Sequence, residues 1–204
     1  MEFIIKNKRN NIFDLSGVFK IEDDDYPMNF KLITRNFNIA PFSAIGENVL
    51  QNFKGYFNSD IDVTGTFYKP IFEGYINAVD SSFDVPYLGL RYGFIDDPTF
   101  TLNNQTININ DFTLNEKKSN TSGIMSGKIS HNRLKDWFLD FKIESKNILA
   151  LNTKSSENEY YYGTGFLNGS AYFIGPGKDL DIEINGTTQE NTCLLYTSDA
   201  ADES

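Results

Sequence analysis

Cysteine and histidine occur once each in 204 residues. A disulfide framework needs paired thiols, and a structural zinc site draws on several Cys and His ligands, so neither fits this chain. Basic residues are also short. There are 18 Lys and Arg against 28 Asp and Glu, a net charge of −10. Such a chain lacks the basic footprint that neutralises phosphates, which excludes nucleic-acid binding as its main role. No apolar run approaches the roughly 20 residues of a membrane-spanning helix. Residues 1–11 carry basic side chains but no apolar core, so they are not a signal peptide. The expectation is a cytosolic protein, or one whose targeting segment lies outside this sequence.

Aromatics are abundant, with 18 Phe and 11 Tyr. They suit the half-buried, pleated surface of a strand. The dominant pattern is alternation at period 2. Phe13, Leu15, Gly17, Phe19 and Ile21 share one face of a first run. Met28, Phe30 and Leu32 form a second. Phe53, Gly55, Phe57, Ser59, Ile61, Val63, Gly65 and Phe67 form the longest. Lys69-Pro70 breaks it, because proline lacks the ladder donor. Phe72, Gly74, Ile76 and Ala78 resume it. Further runs are Ile107-Ile109, Phe112-Leu114, Trp137 to Ile143, Leu167 to Phe173, and Leu180-Ile182-Ile184. Turns are expected at Asp96-Asp97-Pro98, Asn103-Asn104, residues 116–120 and Gly175-Pro176-Gly177. Only residues 42–53 offer a helical pattern.

The fold class is therefore all-β. One-sided alternation leaves an apolar face that something must cover. The sheet can curl into an elongated trough or close as a β-sandwich, and alternation does not separate the two. GYFNSDIDVTG at 55–65 lines up with GFLNGSAYFIG at 165–175, which favours a quasi-repetitive sheet. Glycines on inward positions permit sharp curvature.

No catalytic constellation emerges. His131, between Ser130 and Asn132, has no orienting partner and reads as a solvated turn histidine. Glu22, Asp23, Asp24 and Asp25 lack the spacing of a calcium loop. Gly163-Thr164-Gly165 precedes no helix and reads as a turn. Tyr160, Tyr161 and Tyr162 read as a strand start. The expectation is a non-enzyme with no metal site and no cofactor. Function falls to the apolar face itself, where each buried CH₂ of an acyl chain contributes about 0.8 kcal/mol.

The C-terminus stands apart. From Cys193 to Glu203 the chain resembles, residue for residue, a translated transposase-type sequencing adapter. The expected organisation is a native β fragment at 1–192 and a non-native tail at 193–204. Removing Asp199, Asp202 and Glu203 lowers the acidic count from 28 to 25 and the net charge to −7. The lone cysteine then says nothing about redox compartment.

Several phrases carry a family resemblance. They are FKGYFNSDIDVTGTFYKPIFEGYIN at 53–77, SFDVPYLG at 82–89, ININDFTL at 107–114, GIMSGKISH at 123–131, WFLDFKI at 137–143 and LALN at 149–152. In this order they resemble the C-terminal (DUF490) region of the TamB translocation and assembly module family. The resemblance implies an internal fragment of a taco-like β-groove with an apolar interior. It implies a periplasmic location in a full-length protein anchored to the inner membrane. It implies phospholipid transport to the outer membrane, or assembly of outer-membrane proteins with a TamA-like barrel partner. On this basis Phe57, Ile61, Val63, Phe67, Phe72, Ile76, Leu139, Phe141, Ile143, Leu180, Ile182 and Ile184 are expected to line a lipid groove.

Overall fold

A computed structural model describes residues 2–6, 12–20, 27–41, 50–156, 161–176 and 179–196. They form one antiparallel sheet of thirteen strands. In chain order these are β1 (Glu2–Lys6), β2 (Ile12–Phe19), β3 (Met28–Asn38), β4 (Gln51–Gly65), β5 (Pro70–Val85), β6 (Leu90–Phe94) and β7 (Thr99–Asn104). Then follow β8 (Thr106–Glu116), β9 (Thr121–Asn132), β10 (Lys135–Thr153), β11 (Tyr161–Pro176), β12 (Asp181–Thr188) and β13 (Cys193–Tyr196). A short 3-10 turn, Pro86–Leu88, joins β5 to β6. Almost every strand pairs with its neighbour in sequence, so the sheet is a long meander. The all-β expectation holds.

Two strands are interrupted. β5 pairs along its C-terminal half with β6 and along its N-terminal half with β7. The break between them holds Asp96 and Asp97, both at positive φ. Asp97 seals it, its carboxylate accepting from the Asp80 N–H at 2.8 Å. β8 then covers both pieces from the other side. β11 repeats the first half of this device, pairing with β12 and then with β13.

Bulges explain why the alternation arrives in short runs. In β8 the inward residues are Ile107 and Ile109, then Phe112 and Leu114. The phase slips at a register shift between Ile109 and Phe112. Asp111 takes the extra residue at φ 52°. β5 slips around Asp80 (φ 45°) and β3 around Asn36 (φ 48°). Asn and Asp tolerate the left-handed region better than other side chains do, which is what such a slip demands. Glycine serves where strands approach too closely for any side chain. Gly74 (φ 139°) lies against the Asp60 carbonyl oxygen of β4, where an added Cβ would collide.

Two expectations fall differently. Gly163 and Gly165 are not a turn but lie inside β11. There Gly163 packs against the Cys193 carbonyl of β13, with no room for a Cβ. Of the helical candidate, Gln51, Asn52 and Phe53 belong to β4, and 42–49 lie outside the described residues. The acidic run at 22–25 and Tyr160 also lie outside them.

Candidate functional site

Residues directly opposite each other in an antiparallel pair point to the same side of the sheet. The register therefore assembles the apolar runs into rows. One row passes through Leu15, Leu32, Ile61, Gly74, Leu102, Ile107, Ile129, Leu139 and Gly175, from β2 to β11. A second runs Ile109, Gly127, Phe141, Phe173 and Ile182. A third runs Phe112, Met125, Ile143, Ala171 and Ile184. Phe57 stands opposite Phe37 and Ala78, Val63 opposite Phe30 and Phe72, and Ile76 opposite Phe100. Ten of the twelve expected lining residues thus share one face.

The remaining two sit off the strands. Phe67 lies in the turn between β4 and β5, 71% exposed, and stacks on Phe19 with ring centroids 5.2 Å apart. Leu180 immediately precedes β12.

The opposite face is polar. Lys31 bridges Asp60 at 2.8 Å and Asp62 at 3.4 Å, Lys128 meets Asp140 at 3.5 Å, and Lys142 meets Glu144 at 3.0 Å. Exposed pairs of this kind add little stability and mainly keep that face wet.

The apolar face differs along its length. At one end Leu90, Tyr92, Leu114, Ile148 and Leu149 are all buried and pack together. Phe83, Val85, Phe94, Phe166 and Leu167 close around them. β6 and β10 are not neighbours in the sheet, yet the Tyr92 hydroxyl donates to the Leu149 carbonyl at 2.8 Å. The sheet therefore folds back on itself here. Burial, and behind it the Glu116 carboxylate, raises the Tyr92 phenol above its ordinary 10.0. Glu116 is fully buried, and its Oε2 accepts from the Lys118 N–H, the Ser119 N–H and the Ser119 hydroxyl. It ties down the β8–β9 turn. At the other end Ile182 is 51% exposed and Ile184 62%.

Sequence reasoning missed three features of this face. Thr34 and Ser59 are buried within the rows and satisfy each other at 2.9 Å. A chain of rings runs Phe53–Phe83–Phe94–Phe112, with Phe100 against both of the last two. His131 is not a solvated turn residue but buried, at 8% exposure. Its ring packs against Phe72 and Trp137, and its Nδ1 accepts from the Leu134 N–H at 3.1 Å. Burial lowers its pKa below 6.5. Trp137, two residues into β10, was the available signal, since an indole beside a turn needs apolar company.

No group of three or more His, Cys, Asp or Glu among the described residues could hold a metal ion. No helix among them is long and apolar enough to cross a membrane. What the fold and its lining define is a single-sheet β protein with one apolar face.

Residues 110–204 match the family model of the TamB C-terminal domain. The match supports a fragment of the TamB family, in line with the resemblance carried by the sequence. No curated protein and no solved structure matches the chain.

Proposed function

We propose that the chain is a non-enzymatic segment of a periplasmic bridge whose apolar sheet face carries phospholipid acyl chains between the inner and outer membranes. The observation that carries this reading is the continuity of the rows. The row through Ile61 and Leu139 meets no charged residue between β2 and β11. The TamB C-terminal-domain match supports a role in a translocation and assembly module or in lipid transport, and an envelope location. Acyl contact falls to Phe57, Ile61, Val63, Phe72, Ile76, Leu139, Phe141, Ile143, Ile182 and Ile184, with Phe67 and Leu180 at the margins. Inner-membrane anchoring belongs to parts of a longer protein. A second reading, an assembly scaffold working with a TamA-like barrel, draws on the side of β12 that no strand pairs among the described residues.

Native mass spectrometry of the chain purified from cells tests the conduit. Reproducible adducts of phospholipid mass are expected. They should fall at least about tenfold in Val63→Glu and in Phe141→Glu, because each places an uncompensated charge on the apolar face. Undiminished adducts on folded variants, or a folded chain that takes no added lipid, would overturn the assignment.

A further inference from the structure

We propose that His131 is a pH-operated latch on one rim of the apolar face. Neutral, it holds the β9–β10 turn closed against Phe72. Protonated, it lets that turn go and parts the rim. The latch does not depend on what the face carries.

The first argument is a strained turn. Arg133 and Leu134 join β9 to β10, and both hold positive φ, 57° and 58°. Two consecutive left-handed residues make the tight hairpin turn that favours Asn-Gly. Arginine and leucine lack the short polar side chain that eases this region, so the turn is kept by what surrounds it. Two side-chain acceptors do so. The Arg133 N–H donates to Gln105 Oε1 at 2.6 Å, and the Leu134 N–H donates to His131 Nδ1 at 3.1 Å. The His131 N–H in turn donates to the Gln105 carbonyl at 3.0 Å. The β9–β10 turn is thereby tied to the β7–β8 turn.

The second argument is the chemistry of one acceptor. Nδ1 accepts only while it carries no proton, which puts the ring proton on Nε2. Protonation makes both nitrogens donors and sets Nδ1–H against the Leu134 N–H. Gln105 does not titrate, so acid removes one of the two holds and leaves the other.

The third argument is the surroundings. His131 keeps 8% of its surface. Its ring lies 5.8 Å from that of Phe72 on β5 and 4.8 Å from that of Trp137 on β10. β7 and β8 stand between β5 and β9, so the Phe72 contact exists because the sheet curls here. Nothing charged waits for an imidazolium. On β5 the charged neighbour of Phe72 is Glu73, exposed and on the opposite face. The β7–β8 turn brings neutral Gln105. Arg133, Lys135 and Asp136 are exposed, and Asp136 meets Asn132. No ion pair among the described residues reaches His131. Burial lowers its pKa below the ordinary 6.5. The stability it lends is therefore whole above pH 6.5 and is lost as pH falls toward the lowered folded value.

The test uses the full chain, whose single His and single Trp give separate readings. Proton NMR of the His131 ring follows its titration from about pH 8 to about pH 5, where ordinary carboxylates stay ionised. Trp137 fluorescence and hydrogen-exchange protection factors follow the turn. One shared midpoint below pH 6.5 is expected for the ring and for Trp137. Across it, protection at 131–137 should fall at least about threefold, while Tyr92 and Leu114 keep theirs. His131→Asn, whose Oδ1 stands close to where Nδ1 does, should hold the turn and abolish the transition. Arg133→Asn with Leu134→Gly relieves the strain instead. In that variant His131 should still titrate while protection at 131–137 stays flat. Both of its changed positions are exposed, so circular dichroism should match the parent. A midpoint at or above 6.5, a transition that survives His131→Asn, a turn that still opens in the Asn-Gly variant, or protection lost equally at Leu114 would overturn the latch.

Discussion

The two ends of the apolar face are built from the same alternation and reach opposite outcomes. Around Leu114 the strands β6, β8 and β10 converge, and that side chain keeps 2% of its surface. Around Ile184, at the end of a row that starts from Phe112, the side chain keeps 62%. Alternation chooses which side of a strand is apolar. What covers that side is decided by bulges and strand order, through the fold-back that brings β6 onto β10. A closed end and an open end can therefore coexist on one sheet.

Large-to-small changes at the two ends break this comparison most sharply. Leu114→Ala should cost about 2–5 kcal/mol, because it removes buried methyl groups and leaves a cavity where several strands meet. Ile184→Ala should stay within about 0.5 kcal/mol, as exposed positions usually do. Urea unfolding monitored by tryptophan fluorescence measures both. Equal losses would mean that Ile184 is covered in solution.

Backbone strain ranks next. Gly127 holds φ 136° in β9, and a Cβ there would lie 2.6 Å from the Phe141 Cα of β10 and on the Asp140 carbonyl oxygen. Gly127→Ala should cost about 1–3 kcal/mol. If β9 and β10 part to admit the methyl group, exchange should quicken between Phe138 and Glu144. A neutral substitution would show that the close approach is not needed to hold the sheet's curvature.

These glycines also show what the sequence could convey. The strand runs, the inward face and the break at Lys69-Pro70 follow from side-chain chemistry along one segment, so they were legible. The bulges were half legible. The slip from Ile107-Ile109 to Phe112-Leu114 is written in the sequence, with Asp111 marking it, but a slip looks the same as two strands joined by a turn. The turn expected at Gly163 to Gly165 failed for a related reason, since a glycine that admits a neighbouring strand resembles one that turns the chain. The closed end was not legible. Leu90 and Leu149 are 59 positions apart, and no local pattern says that they touch. His131 was misjudged likewise, because its burial depends on Phe72, four strands away in chain order.

Tyr92 sharpens the comparison through pH. Its buried hydroxyl holds the fold-back by donating to Leu149, so Tyr92→Phe should cost about 1–3 kcal/mol at neutral pH. The folded phenol keeps its proton at a pH where the unfolded one, near 10.0, has lost it. Stability is then fully present below pH 10 and falls as pH rises toward the raised folded value. The phenylalanine variant should lose stability less steeply above pH 10. A parallel alkaline slope in both proteins would mean that Tyr92 is not the group that titrates.

A small effect is expected at the edge of β11. Cys193–Tyr196 pair with only four residues there, and Leu194 and Leu195 keep 37% and 48% of their surface. If 193–204 is an adapter-derived tail, β13 borrows the place that β7 holds beside β5 without contributing to the closed end. Deleting 193–204 should then cost less than about 1 kcal/mol, well below Leu114→Ala. It should leave lipid adducts unchanged and quicken exchange only between Tyr161 and Thr164. A loss on the scale of Leu114→Ala would make β13 an integral strand and move the native boundary past residue 192. The glycine at 163 adds a second readout, because its tight fit to Cys193 matters only while β13 is in place. Gly163→Ala should destabilise the full chain more than the shortened one, and equal losses would mean that β13 is not seated there in solution.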